Sequence, residues 1–168
     1  VQHKHWPPFA HCFASFRIKA PIFVARQLAK HQVGLAWNEV SRRYVDEEPE
    51  FYFPETWRTR PTGSIKQGSG EAMYEQELWK QSLKEHCANM LAWYTHAIAC
   101  GMAPEQARMA LPLNTMTEWI WSGSLAAWAR VAKLRLDSHA QQETAAVVAY
   151  IADHMRAFFP VSWSELVK

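Results

Sequence analysis

The chain runs to 168 residues, 49% of them hydrophobic and 20% charged. That suits one folded domain spanning 1–168 and argues against a disordered or low-complexity chain. Eighteen Lys and Arg against 16 Asp and Glu leave a formal net charge of +2, so weak a bias that it calls for neither a nucleic-acid nor a membrane partner. No apolar run approaches the ~18 residues of a membrane span.

The first residue is Val1 rather than Met, which predicts that the true N-terminus precedes it. Cys12, Cys87 and Cys100, odd in number and widely spaced, do not form a disulfide framework and point to a reducing cytoplasm. Nine tryptophans are a high count, whose usual meaning is core or subunit contact.

In chain order, residues 12–19 alternate and predict a strand closed by Ala20-Pro21. Pro21 suits a first helical turn, and Ile22, Val24-Ala25 and Leu28-Ala29 follow at helical spacing, which predicts a helix over 21–31. Gly34 marks a turn before a predicted strand from Trp37 to Val45. There Glu39, Ser41 and Arg43 would share one face and Asn38, Val40, Arg42 and Tyr44 the other. Residues 46–49 read as a loop, 51–53 as a brief strand, and the Gly- and Ser-rich 58–71 as a mobile loop. The strongest helix covers 72–100, with Trp79, Leu83, Cys87, Met90-Leu91, Tyr94 and Ile98 recurring at i+3/i+4 and Gly101 as its stop. A short helix begins at Pro104 and stops at Pro112; 114–121 reads as a strand or as irregular; two further helices cover 124–134 and 140–159, the second ending at Pro160.

Three constellations could carry chemistry. Residues 26–44 pack Arg26, Lys30, Arg42 and Arg43 with Gln27, His31, Gln32, Asn38, Glu39 and Ser41. Such cations and hydroxyls cradle a phosphate, and Asn38 and Glu39 could read a base edge or hold a ribose. A solvated charged face is the plainer reading, but Trp37, Val40 and Tyr44 interrupt the polar residues as in a half-buried site. The second cluster joins LPLN, with Arg108 just before it, to Arg135, Asp137, Ser138 and His139; either Asp137 or Ser138 could cap the final helix, with Glu143 near its positive end. The third holds His3, His5, His11 and Cys12, whose spacing is not a standard zinc one, so no metal is assigned. Nucleophile-elbow, Rossmann and Walker sequences are absent.

Four segments, in order, carry a resemblance: HWPPFAHCFASFRIKAPIFVARQ, KHQVGLAWNEVSRRY, QARMALPLN and LRLDSHAQ. Together they resemble the flavin-dependent thymidylate synthase (ThyX) family, whose signature is R-H-R-x-x-S-x-N-E-x-S-x-R-Y. The resemblance implies a ThyX-like α+β fold, a small, mainly antiparallel sheet with packed helices. It implies methylation of dUMP to dTMP, with methylenetetrahydrofolate as carbon donor, NADPH as reductant and FAD as hydride carrier, in a cytoplasmic homotetramer, bacterial or in a virus-infected cell, whose sites draw on several subunits. No enzyme cysteine attacks the ring in that family.

By the same resemblance Arg135 is the cation that activates the pyrimidine. Gln27, Lys30, Glu39, Ser41, Arg42, Arg43, Arg108 and Arg135 form the dUMP set. His5, His31, Gln32, Asn38, Glu39, Ser124, Arg130 and His139 form the FAD set. There are departures. Lys30 and Gln32 replace both arginines of R-H-R, and one extra residue lies between His31 and Asn38. Pro7 and Ala10 stand where the family has a small hydroxyl residue and Glu, and Ser124, Ala126 and Arg130 where it often has Asn, Arg and Asn. The flavin half is thus more altered than the nucleotide half. Two alternatives accompany the main reading: the same fold making 5-hydroxymethyl-dUMP, and a non-catalytic nucleotide-binding homologue.

Overall fold

The computed structural model describes residues 5–45, 47–62 and 68–168. A 3-10 turn at Pro7–Ala10 leads into β1, Phe13–Pro21, where Phe16, Ile18 and Ala20 point inward and Ser15, Arg17 and Lys19 outward. The strand runs two residues past the predicted end and passes directly into α1, Ile22–Leu28. This helix is shorter than the predicted 21–31. His31 N–H donates to Leu28 C=O, and the chain then reverses at Gly34, whose φ of +74° suits glycine and strains other residues. Lys30 and His31 therefore lie beyond the last helical turn.

Strand β2 is Leu35–Glu39, not Trp37–Val45. Val40 N–H still bonds Glu118 C=O, but Tyr44 N–H then returns to Ser41 C=O and Arg43 N–H to Ser41 Oγ. The serine hydroxyl offers the backbone a local turn in place of the ladder. Ser41, Arg42 and Arg43 accordingly sit on a turn rather than on alternating strand faces. The brief strand expected at 51–53 reduces to a single bridge, Phe51 to Thr115. The expected mobile loop over 58–71 falls partly on 63–67, outside the described residues; its flanks are joined by Thr59 N–H to Glu71 C=O and Gly70 N–H to Thr59 C=O.

Helix α2, Gln76–Ala99, is long yet buries only Cys87, Tyr94 and Ala97; Trp79 and Trp93 stay nearly half exposed. The short α3, Pro104–Ala107, and a 3-10 turn over Arg108–Ala110 follow. The ambiguous 114–121 segment becomes β3, Met116–Ser124, the middle strand of a three-stranded antiparallel sheet ordered β1-β3-β2. Its register sets Trp121 opposite both Phe16 and Trp37. Then come α4, Leu125–Arg135, and α5, Gln142–Phe158. Neither Asp137 nor Ser138 caps α5; its N-cap is Gln141, and Asp137 Oδ1 instead accepts the backbone N–H of His139. A last helix, α6, Pro160–Leu166, was not expected: Pro160 ends one helix and begins another, because a first-turn residue needs no N–H.

One sheet face and helices α1, α4, α5 and α6 enclose the core. Trp119, Trp121, Trp128 and Trp163 are fully buried in it. Trp37 stacks on Trp119 at 4.5 Å, and Trp121 meets Trp128 edge-on at 4.8 Å. Core packing thus accounts for much of the tryptophan excess, each such side chain contributing roughly 1.5–3 kcal/mol or more by area. The packed layers also fix the C-terminal end of α4 against the end of α1 and the start of α5.

Candidate functional site

Two groups of polar side chains emerge. The first gathers where α1 ends, α4 ends and α5 begins. Arg135, the last residue of α4, donates from Nε to His31 Nε2 at 2.9 Å and from a terminal nitrogen to Gln27 C=O at 3.2 Å. A guanidinium has no acceptor, so His31 accepts as a neutral imidazole with its proton on Nδ1. Its pKa is lowered by burial first, then by the charges of Arg135 and Arg130. Arg130, earlier on α4, donates to Val33 C=O. Gln27 is held at both ends of its carboxamide: Oε1 accepts Thr144 Oγ1 at 3.3 Å and Nε2 donates to Gln141 Oε1. Two guanidiniums therefore stand beside a half-buried neutral imidazole, a positive environment suited to an anion.

The second group lines a cavity of about 670 Å³ between the end of β2, the 41–44 turn and the Arg108 turn. Glu39, Ser41, Arg42 and Arg108 all border it. Glu39 is fixed by Thr117 Oγ1 at 2.7 Å and Trp37 Nε1 at 3.2 Å, and Arg42 donates to Glu47 C=O at 2.8 Å. Arg43 reaches Glu105, another lining residue, at 3.6 Å, and its guanidinium lies 5.2 Å from the Tyr44 ring centroid. Arg108 Nε donates to Glu105 C=O at 3.4 Å.

The nucleotide set predicted from sequence thus divides within one chain. Glu39, Ser41, Arg42 and Arg108 share the cavity, with Arg43 beside it, whereas Gln27 and Arg135 belong to the other cluster and Lys30 is exposed next to them. The flavin set divides too. His31 and Arg130 flank the Arg135 cluster; Gln32 is exposed in the turn and Asn38 on β2. Ser124 is buried and its Oγ accepts Ala127 N–H as the cap of α4. His139 is exposed, its Nδ1 2.9 Å from Asp137 Oδ1. His5 is exposed ahead of the first turn, and His3 lies outside the described residues. Sequence reasoning missed Gln141 and Thr144, whose contacts to Gln27 span more than a hundred residues and leave no local pattern.

A family model described as Thy1, thymidylate synthase complementing protein, matches residues 1–161. The flavin-dependent thymidylate synthase of Thermosipho melanesiensis is 32% identical over 176 aligned residues, covering all of this chain and 73% of the relative. That of Thermus thermophilus is 35% identical over 98% of this chain and 60% of its own. The UMP/dUMP methylase PolB from Streptomyces cacaoi, solved with 5-Br UMP, superposes with a TM-score of 0.90 at 24% identity, over 97% of this chain and 76% of that one, which shows the shared fold. The chain belongs to the flavin-dependent thymidylate synthase family.

Proposed function

We propose that this chain catalyses reductive methylation of dUMP to dTMP, using methylenetetrahydrofolate and NADPH with FAD. The observation that carries the reading is the setting of Arg135: a guanidinium fixed by a neutral imidazole and a helix-terminal carbonyl, with a second guanidinium nearby. Placed against the N3–O edge of uracil, Arg135 stabilises the anionic ring and sharpens nucleophilicity at C5. A unit charge ~4 Å away is worth roughly 4 kcal/mol at an effective dielectric of 20, before desolvation. About 1.4 kcal/mol already changes a rate tenfold.

The phosphate falls to Arg43, Arg42, Arg108 and Ser41, charge-assisted donors around one cavity. Glu39, fixed by two hydrogen bonds, orients the sugar or base. The cysteines are elsewhere: Cys87 is buried against Asn114, Cys100 sits beside His96 at the end of α2, and Cys12 precedes β1. Activation in this reading is electrostatic.

His31, Gln32, Asn38 and Arg130, with His139 and His5, supply the donors and positive charge that an anionic dinucleotide such as FAD requires, and Ser124 serves as a helix cap. A flavin held by these residues, once reduced by NADPH, would supply the hydride that completes the methyl group. The separation of the two polar groups in one chain supports sites completed by a neighbouring subunit in a homotetramer. So do the exposed Leu78, Trp79 and Trp93 of α2. No helix among the described residues is long and apolar enough to cross a membrane, and the free cysteines support a cytoplasmic setting.

The purified protein is expected to carry a flavin absorption spectrum. It should release tritium from 5-tritiated dUMP when given the folate and NADPH, and mass spectrometry should show a methylated product. A colourless protein that takes up no FAD and releases no tritium overturns the reading; a hydroxymethylated product revises it.

A further inference from the structure

The carboxamide of Gln27, in the last turn of α1, is held at both ends by the start of α5, through Thr144 and Gln141. Thr144 is fully buried, and its hydroxyl gives its one proton to Gln27 Oε1 at 3.3 Å. A buried hydroxyl is unfavourable unless bonded, and packing alone would be served as well by a methyl.

The direction of each bond in this array follows from its charged end. Arg58 can only donate, and it bonds Gln142 at 2.9 Å and Glu143 at 2.6 Å. Burial opposes the Glu143 charge, but hydrogen bonds from Arg58, from its own backbone and from Gln141 hold its pKa below the usual range, so this carboxylate is an acceptor. Gln141 therefore turns its amide nitrogen toward Glu143 and its oxygen to Gln27 Nε2, which leaves Gln27 Oε1 for the Thr144 hydroxyl.

The backbone of Gln27 has a different partner. A helix continuing past Leu28 would give the His31 N–H to the Gln27 carbonyl, four residues back; here that N–H goes to Leu28 C=O at 2.9 Å. The Gln27 carbonyl instead accepts the Arg135 guanidinium at 3.2 Å, while His31 Nε2 accepts Arg135 Nε at 2.9 Å. Both acceptors of Arg135 thus lie at or just beyond the end of α1, and Gln27 is the residue whose side chain ties that end to α5.

We propose that Thr144 and Gln141 are positioning residues for Arg135: by locking the Gln27 side chain they hold the last turn of α1 so that its carbonyl and His31 grip the guanidinium in one orientation. The expected effect on rate rests on the reading of Arg135 as the activating cation, whereas the lock itself is tested without substrate. A tie that only stabilised the fold would lower the melting temperature and leave the grip on Arg135 unchanged.

Thr144→Val keeps the side chain's shape and removes its O–H, Gln141→Met keeps the length and removes the acceptor, and Thr144→Ser restores the hydroxyl. The His31 ring of the full chain is followed by NMR across pH, its signal assigned by its absence from His31→Gln. That ring faces Arg135 and Arg130 of α4 and the Trp121 ring of β3, and burial, then the two charges, lower its pKa. Arg130, bonded to Val33 C=O, is untouched by the substitutions. With Arg135 released, the His31 pKa is expected to rise toward its ordinary value in Thr144→Val and Gln141→Met and to stay at the wild-type value in Thr144→Ser. In tritium release, kcat should fall about tenfold in the first two, the scale of a misplaced group. Their dUMP affinity by calorimetry should change little, because the proposed phosphate donors border the other cavity. An unchanged His31 pKa or an unchanged kcat in both variants, or an equal pKa rise in Thr144→Ser, overturns the proposal. The expected pKa pattern in a chain whose wild type shows no activity upholds the lock and counts against the proposed reaction instead.

Discussion

Arg135 Nε and His31 Nε2 lie 2.9 Å apart, and because the guanidinium can only donate, the imidazole accepts and is uncharged. Burial, then the charges of Arg135 and Arg130, favour that neutral form in the folded chain. The unfolded chain takes up a proton on this ring near pH 6.5, whereas the folded chain resists until a lower pH. The stability linked to His31 is therefore complete above about pH 6.5 and is lost as the pH falls below it. Melting temperatures measured across the range from neutral to pH ~5 should drop more steeply for the wild type than for His31→Gln, whose amide oxygen accepts without titrating. Equal slopes would remove the neutral-acceptor assignment.

If Arg135 activates the pyrimidine, its replacement should damage chemistry far more than folding. Arg135→Ala is expected to lower kcat by about 100-fold or more, the scale of losing one electrostatic stabiliser. The stability cost should be about 1–2 kcal/mol, from two hydrogen bonds in a half-buried place. Arg135→Lys, which keeps charge but cannot grip His31 and Gln27 together, should fall between the two. Tritium release and thermal melts on the same preparations measure both quantities. A normal rate in Arg135→Ala would refute the activating role.

How much of this could be read in the chain depended on how local the causes were. Strand β1 was legible because Phe16, Ile18 and Ala20 alternate with polar residues. Helix α1 was overrun because Lys30 and His31 are compatible with a helix, and only the left-handed turn at Gly34 ends the segment. Strand β2 was extended too far because the Ser41 turn looks like alternation. Strand β3 was ambiguous because Trp119, Ile120 and Trp121 are all apolar, although Ile120 faces outward. Helix α6 was hidden by a proline that reads equally as stop and start. In the site, the cationic 41–43 turn was visible as a cluster. The tie between Arg135 and His31 spans 104 residues, so no local pattern joins them and only the family resemblance put both on one page.

Arg43 offers a contrasting test. Its partner Glu105 is 3.6 Å away and both side chains are about half exposed, so the pair contributes under about 1 kcal/mol. Arg43→Ala should leave the melting curve nearly unchanged yet weaken dUMP binding about tenfold or more through a lost charge-assisted phosphate contact. Calorimetry with dUMP, repeated with deoxyuridine, would show whether the loss tracks the phosphate. Normal dUMP affinity would withdraw Arg43 from the phosphate role.

The strand that carries Asn38 and Glu39 is placed by a close approach between β2 and β3. Gly123 pairs with Leu35, and a Cβ at Gly123 would fall 2.3 Å from Leu35 Cδ2 and 3.2 Å from Gly34 C=O. The leucine tip can rotate, but the backbone carbonyl cannot. Gly123→Ala is expected to cost about 1–3 kcal/mol by overpacking. Because β2 would shift with it, the hydrogen bonds that hold Glu39 to Trp37 and Thr117 should loosen and dUMP affinity should fall as well. Pairing the change with Leu35→Ala removes the nearest clash, so the double variant should be less destabilised than the sum of the single ones. Denaturant melts of the four proteins measure that coupling, and strict additivity would show that the Leu35 contact does not set the strand's position.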